Sequence, residues 1–265
     1  MIGLLLVAGS ALGAAFELAP RVLLRPSFGA YSDAKLHDAL GRAFAEYWES
    51  GSPALPAHLT SLVDYWFQWH AIKVVNSALL AVVLALLTTA LWQKYVRGRR
   101  WYAAVATAAT MSTVLVIWVL SVNIQVTALP LIPLLGLLPG GTADGELARV
   151  VSEMREELTN AAAPHAGSPV PAVLLGEVER YYWVTAGISA TLMVAAGLTS
   201  ACFWRRRLAG DTSAIRVRFM HSTLGVITAL TACVLLLMTV ASALSALEPA
   251  ASLLGITAEA YNTQS

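Results

Sequence analysis

Six side chains in this chain have types and spacing that could do chemistry: Glu17, His70, Lys73, Asn76, Asn123 and Gln125. Three of them fall in "DYWFQWHAIKVVNS", where His70, Lys73 and Asn76 interrupt a stretch otherwise suited to lipid. Imidazole titrates near neutral pH when unperturbed, which makes His70 the candidate acid–base group. Glu17 and Lys73 can form an ion pair, and the amides of Asn76, Asn123 and Gln125 both donate and accept hydrogen bonds. No HxxxH, ExxH or Cys/His cluster with metal-ligand spacing occurs. P-loop, Gly-rich dinucleotide turn and GxSxG are absent as well, so the sequence specifies no cofactor.

The elements that must position these residues are membrane helices. The chain is 57% hydrophobic and 12% charged, with a mean hydropathy of +0.66. Average soluble domains carry about 25% charged residues. Several apolar runs are long enough to cross a hydrocarbon core of about 30 Å. The expectation is an all-α polytopic bundle forming a single membrane domain over 1–265. Four spans are clear, at 66–92, 101–123, 181–204 and 219–246. A fifth is expected at 2–19, because the N-terminal run has no Lys or Arg ahead of its apolar core and so reads as a retained span rather than a signal peptide.

Charge sets the threading. The loops 93–100 and 205–218 hold Lys94, Arg97, Arg99, Arg100, Arg205, Arg206, Arg207, Arg216 and Arg218, nine of the 17 Lys and Arg. The positive-inside rule makes both loops cytoplasmic. The N-terminus is then inside and the C-terminus outside, in the cell membrane. Arg21 and Arg25 follow the first span on the outer side, against the rule. No Lys/Arg run suited to tracking phosphates is present, which sets nucleic acid aside. Cys202 and Cys233 lie at different depths in their spans, so no disulfide is expected.

Segments 20–65 and 124–180 face outward in this threading. In the first, Leu36, Leu40, Phe44 and Tyr47/Trp48 fall at helical spacing, with Ser32 as N-cap and Gly51 as stop. In the second, Leu147, Val150, Val151, Met154 and Leu158 share one face. Both read as amphipathic helices lying over the bundle or along the headgroups. Residues 127–141, broken by Pro130, Pro133 and Pro139, read as irregular or re-entrant, and 163–172 as a loop. The two helical hairpins each open on an acidic residue with aromatics and close on a Trp and a basic turn, a faint sign of duplication.

Depth brings the six residues to one level. With Trp66 at the interface, His70 lies about 6 Å below it, Lys73 about 10 Å and Asn76 about 15 Å. Glu17, Asn123 and Gln125 fall near the same outer level, so the helices could gather all six into an outward-facing polar pocket. The favoured reading is structural: a Glu17–Lys73 ion pair joining two spans, with His70 as an interfacial hydrogen-bonder. A transmembrane haem is not expected, because His70 and His221 lie near opposite faces, about 20 Å of helix apart. His37, His58 and His165 read as surface histidines in the outer segments.

"WFQWHAIK" resembles the Trp-x-x-x-His-x-x-Arg/Lys signature of the anthrone-oxygenase-like family of small four-helix membrane proteins, matched here by Trp66, His70 and Lys73. The Gly- and Ala-rich first span, closing on "FELAP" with Pro20, is similar to that family's first helix. In that family the His helix comes last, whereas here it is second. The resemblance implies a four-helix membrane core and, beyond that, oxygenation of a polycyclic phenol.

Three functions follow from these features. The first is a non-enzymatic accessory or assembly subunit, with an exposed apolar patch on helix 33–50 or 144–158 for a partner. The second is a small membrane oxidoreductase or oxygenase, with an open cavity lined by His70, Lys73, Asn76 and Asn123. A transporter component ranks third. The implied partners are the bilayer and either another membrane protein or a second copy, for which Gly9 and Gly13 offer a close-packing face.

Overall fold

The computed structural model describes residues 1–28, 33–138, 145–159, 169–209 and 215–262. Among these it contains only helices and no strand: α1 (Ile2–Phe28), α2 (Asp33–Ser50), α3 (Ala57–Val96), α4 (Tyr102–Ala128), α5 (Leu131–Leu135), α6 (Gly145–Thr159), α7 (Val170–Ala209), α8 (Ile215–Leu247) and α9 (Pro249–Asn262). Five of them, α1, α3, α4, α7 and α8, are long and apolar enough to cross a membrane. The four clear spans and the N-terminal one fall on these helices, the third starting one residue before α4, so the all-α bundle expected from the sequence is what forms.

The helices outrun the spans. At 1.5 Å per residue the 40 residues of α3 and of α7 reach about 60 Å, roughly twice a hydrocarbon core. The first helix does not stop at Ala19: it continues through Pro20 and Pro26 to Phe28. Pro20 lacks the N–H that would bond to the Phe16 carbonyl, yet the flanking turns stay helical. Part of the segment expected to be loop, 170–172, is the first turn of α7. Ser32, Pro139 and His165 lie outside the described residues.

The chain divides into two compact units. The first comprises Met1–Pro20, Ala71–Ile124 and Ala186–Val240; the second comprises Arg21–His70, Gln125–Thr185 and Ala241–Ser265. The order of elements also repeats. An amphipathic helix, a 40-residue helix, a basic stretch of sequence, a second long helix and a shorter apolar helix occur as α2–α5 and again as α6–α9.

The first unit is apolar on its outside. Leu4, Val7, Leu79, Val82, Leu86, Leu115, Leu198, Leu230 and Leu237 all expose more than half of their surface. A water-facing surface would be expected to break such a stretch with charge, whereas acyl chains accept it. Its core gathers Leu87, Leu91, Trp92, Tyr95, Tyr102 and Ala106, with Ile2, Leu5, Met220 and Leu224 packed against them. Gly9 faces α3, where a Cβ would meet Val83 and Leu80 at 3.8 and 4.0 Å, whereas Gly13 opens onto free space. One half of the glycine pair is thus used inside the chain.

The second unit is a folded helical body. The side of α2 carrying Leu36, Leu40, Phe44 and Tyr47 is buried, as are Leu147, Val150, Val151, Met154 and Leu158 of α6. α2 packs on α6, and α6 on α9. The sequence expectation of an exposed apolar patch on one of these helices is therefore corrected: protein covers both apolar faces, which also removes the headgroup-lying alternative. Burying a Leu or Met side chain is worth about 1.5–3 kcal/mol, and these faces find that burial within the chain. Helix α2 ends as expected at Gly51, whose φ of 59° takes the chain out of the helix. α5, within the Pro-broken stretch, buries Leu131, Ile132, Leu134 and Leu135.

Candidate functional site

Four of the six candidate residues belong to the first unit and two to the second. Glu17 is exposed on α1, Lys73 and Asn76 are half-buried on α3, and Asn123 is buried on α4. The ammonium of Lys73 lies 4.6 Å from the ring centroid of Phe16, so α1 meets α3 here through a cation–π contact one residue before Glu17. The amide of Asn123 donates to the Val119 carbonyl at 2.7 Å, one turn back on its own helix. Next to Lys73 in the helix, buried Ser77 donates to the Lys73 carbonyl at 2.7 Å.

His70 and Gln125 lie in the second unit, Gln125 buried and His70 half-buried. His70 Nδ1 is 2.9 Å from the Trp66 carbonyl, one turn back. A carbonyl only accepts, so Nδ1 carries the proton of this contact. The Trp66 and His70 rings touch with centroids 4.5 Å apart. Trp66 Nε1 is itself buried and has no hydrogen-bond partner among the described residues.

A common rule operates on the long helices. Thr89, Thr107, Thr110, Thr113, Thr191, Thr199, Thr228, Thr231 and Thr239 each donate to a carbonyl four residues earlier. In lipid an unpaired hydroxyl is costly, and this back-bonding satisfies it locally. Among the described residues no three of His, Cys, Asp and Glu converge in a way that could hold a metal. Cys202 and Cys233 are free thiols.

Two concavities of the first unit lie elsewhere than the expected pocket. A cleft of about 670 Å³ is bounded by α3, α4, α7 and α8, and its lining includes Thr88, Trp92, Gln93, Arg97, Thr113 and Phe203. A second, of about 550 Å³, lies among α4, α7 and α8 and is almost wholly apolar, with Trp118, Thr199, Thr231 and Met238 in its wall. None of the six candidate residues lines either one. Sequence reasoning followed charged residues inside the spans and so passed over a cleft whose polar groups are mostly threonines. The spacing Thr88–Trp92, with Arg97 beyond, was the available signal.

No family model, curated protein or solved structure matches this chain. The likeness to the anthrone-oxygenase-like proteins therefore rests on Trp66, His70, Lys73 and the first span alone.

Two arginines meet the same turn, Arg97 lining the cleft of about 670 Å³ and Arg216 reaching Gly98 beside it. Gly98 takes φ 121°, a conformation side chains disfavour, and a Cβ there would stand 3.2 Å from Arg216 Nη1. Arg216, at the start of α8, thus reaches the turn between α3 and α4, beside cleft-lining Arg97. The charge of the two units is opposite. The first holds ten Lys and Arg against two Asp and Glu, the second seven against fourteen. The ion pairs described all belong to the second unit: Arg149 bridges Glu49 of α2 and Glu153 of its own helix, the latter at 2.7 Å, and Arg180 meets Glu177 at 3.2 Å.

Proposed function

We propose that this is a multi-pass cell-membrane protein of five spans that serves as a non-enzymatic accessory or assembly subunit. Its N-terminus and the basic loops 93–100 and 205–218 face the cytoplasm; segments 20–65 and 124–180 and its C-terminus face outward. The charge division supports the threading, because nine of the ten cations of the first unit sit in those two loops, where the positive-inside rule wants them.

One observation carries the subunit reading in place of the apolar patch expected from the sequence, which protein covers: α2 and α6 present a charged outer surface tied by the Glu49–Arg149–Glu153 bridge. A lid or a membrane-lying helix would keep an apolar face for substrate or lipid. A self-contained folded cap is instead a platform for another protein, recognised through charge complementarity rather than an apolar patch. The polar residues of the spans support the same reading, since His70, Asn123 and Ser77 each engage a carbonyl of their own helix.

Native mass spectrometry of the full chain, extracted in mild detergent from the membranes of its own source, tests this. A stoichiometric second protein that dissociates in Arg149→Glu supports the subunit. A chain that emerges alone with a lipophilic small molecule, lost in His70→Ala, defeats it in favour of an oxidoreductase.

A further inference from the structure

We infer that the cleft between α3, α4, α7 and α8 is a binding site for one anionic phospholipid. An acyl chain lies along Trp92, Thr113, Phe203 and Leu224, and the phosphate meets Arg97 and Arg216. The lining is overwhelmingly apolar, and its hydroxyls do not ask for a ligand: Thr88 and Thr113 bond to each other at 3.1 Å, and Thr110 accepts from the Trp92 indole at 3.1 Å. Such a surface suits a hydrocarbon chain and would leave a polar substrate unpaired.

The mouth of the cleft is chemically opposite. Arg97 lines it, and Arg216 reaches the same turn at Gly98. Lys94, Arg99 and Arg100 stand beside them in the chain. Among the described residues no carboxylate pairs with Arg97 or Arg216, and the first unit contains only Glu17 and Asp211 as acids. An apolar cleft ending in arginines that no described carboxylate pairs is complementary to a molecule with two hydrocarbon tails and one anionic head. Basic pockets between membrane helices on the cytoplasmic side recognise such headgroups, and a guanidinium fork matches a phosphate in geometry as well as charge. A second protein helix could fill the groove, but it would bring no anion to the arginines.

The site rests on the insertion proposed above, not on the subunit role. The full chain is placed in nanodiscs of phosphatidylcholine containing a minor fraction of phosphatidylglycerol with the same acyl chains, and the lipid retained on release is counted by native mass spectrometry. One phosphatidylglycerol per chain is expected, retained in preference to phosphatidylcholine. Arg97→Gln and Arg216→Gln each lower that preference about fivefold, as expected for one cation near an anionic headgroup. Arg205→Gln, on an exposed arginine outside the cleft, leaves it unchanged. Thr113→Trp, which fills the cleft without touching charge, abolishes retention of the bound lipid. Equal retention of both lipids overturns the site, as does a preference that survives the double Arg97→Gln/Arg216→Gln variant, or a second polypeptide held in the cleft. Failure to enter nanodiscs at all would defeat the membrane reading itself.

Discussion

The indole Nε1 of Trp92 on α3 donates to Thr110 Oγ1 on α4 at 3.1 Å, and both residues are buried. Thr110 in turn donates to the Ala106 carbonyl at 2.8 Å. One hydroxyl therefore closes a chain from indole to backbone and joins two long helices. Thr110→Val keeps the shape but strands a buried N–H. The expected cost is about 1–3 kcal/mol if the indole stays unpaired, and nearer about 0.6 if it finds another acceptor in the membrane. Thermal unfolding in detergent measures it, and Trp92→Phe completes the cycle. The double variant should cost less than the sum of the two, because each removes the same bond. Strict additivity would mean that the bond contributes nothing.

Tyr47 presents the reverse case. Its side chain is fully buried in the second unit, and its hydroxyl has no hydrogen-bond partner among the described residues. Tyr47→Phe removes that oxygen and should be neutral or stabilising, whereas Tyr47→Ala should cost about 3–5 kcal/mol by opening a cavity. Burial first, and the charge of Glu177 second, push the Tyr47 phenol above its ordinary range. The unfolded chain then releases this proton at lower pH than the folded one. The contribution to stability is intact below a pH of about 10 and declines as pH rises beyond it. The alkaline limb of a stability–pH curve should accordingly be shallower in Tyr47→Phe. Identical limbs in the two proteins would show that the phenol does not titrate differently on folding.

Gly225 lets α8 pack tightly against α7 in the first unit. A Cβ at this position would stand 3.0 Å from Trp204 Nε1, and Ser200 Oγ donates to the Gly225 carbonyl at 2.8 Å. A rigid indole cannot swing aside as a flexible chain end would. Gly225→Leu should therefore destabilise by about 1–3 kcal/mol through overpacking, and Trp204→Ala should relieve part of that loss. Gly13→Leu, in open space on α1, is the comparison and should leave unfolding unchanged. If the two leucine variants melt alike, the α7–α8 contact is not tight.

How much of this was legible in the sequence follows from what each signal measures. Apolar run length located all five long helices because bilayer thickness imposes it. It could not mark their ends: α3 and α7 continue far past the hydrophobic stretch, and propensity carries a helix on where hydropathy stops. Amphipathic spacing correctly assigned the inward faces of α2 and α6, but a single face does not say what covers it. The covering surface is protein, and that depends on contacts between residues a hundred positions apart, such as Glu49 and Arg149. α9 was missed because the tail after 246 is too short to span a bilayer, so run length does not register it, and Pro249, a start signal at its first position, was passed over. The six candidate polar residues were legible as costly, which a depth estimate can show. Their partners on the same helix, such as the Trp66 carbonyl for His70, were not, because one side chain offers several bonding choices that only coordinates resolve.

The division of charge makes a prediction about sidedness that no stability measurement reaches. The proposed threading puts Arg99, in the turn after α3, in the cytoplasm and Ser152, exposed on α6, outside. In a background with Cys202 and Cys233 replaced by alanine, single Ser152→Cys and Arg99→Cys variants can be treated in intact cells with a membrane-impermeant maleimide. Ser152→Cys should label at once and Arg99→Cys only after permeabilisation. The reverse pattern would invert the protein, placing the nine cations of the two basic loops outside and segments 20–65 and 124–180 in the cytoplasm, and would remove the cytoplasmic setting of the Arg97–Arg216 corner. Labelling of both residues in intact cells would place the two on one side of the membrane and sink the five-span threading altogether. Transferring Lys94, Arg97, Arg99 and Arg100 to neutral residues while adding arginines near α6 should shift the population toward the inverted form, because orientation follows the Lys and Arg of short loops and not the net charge.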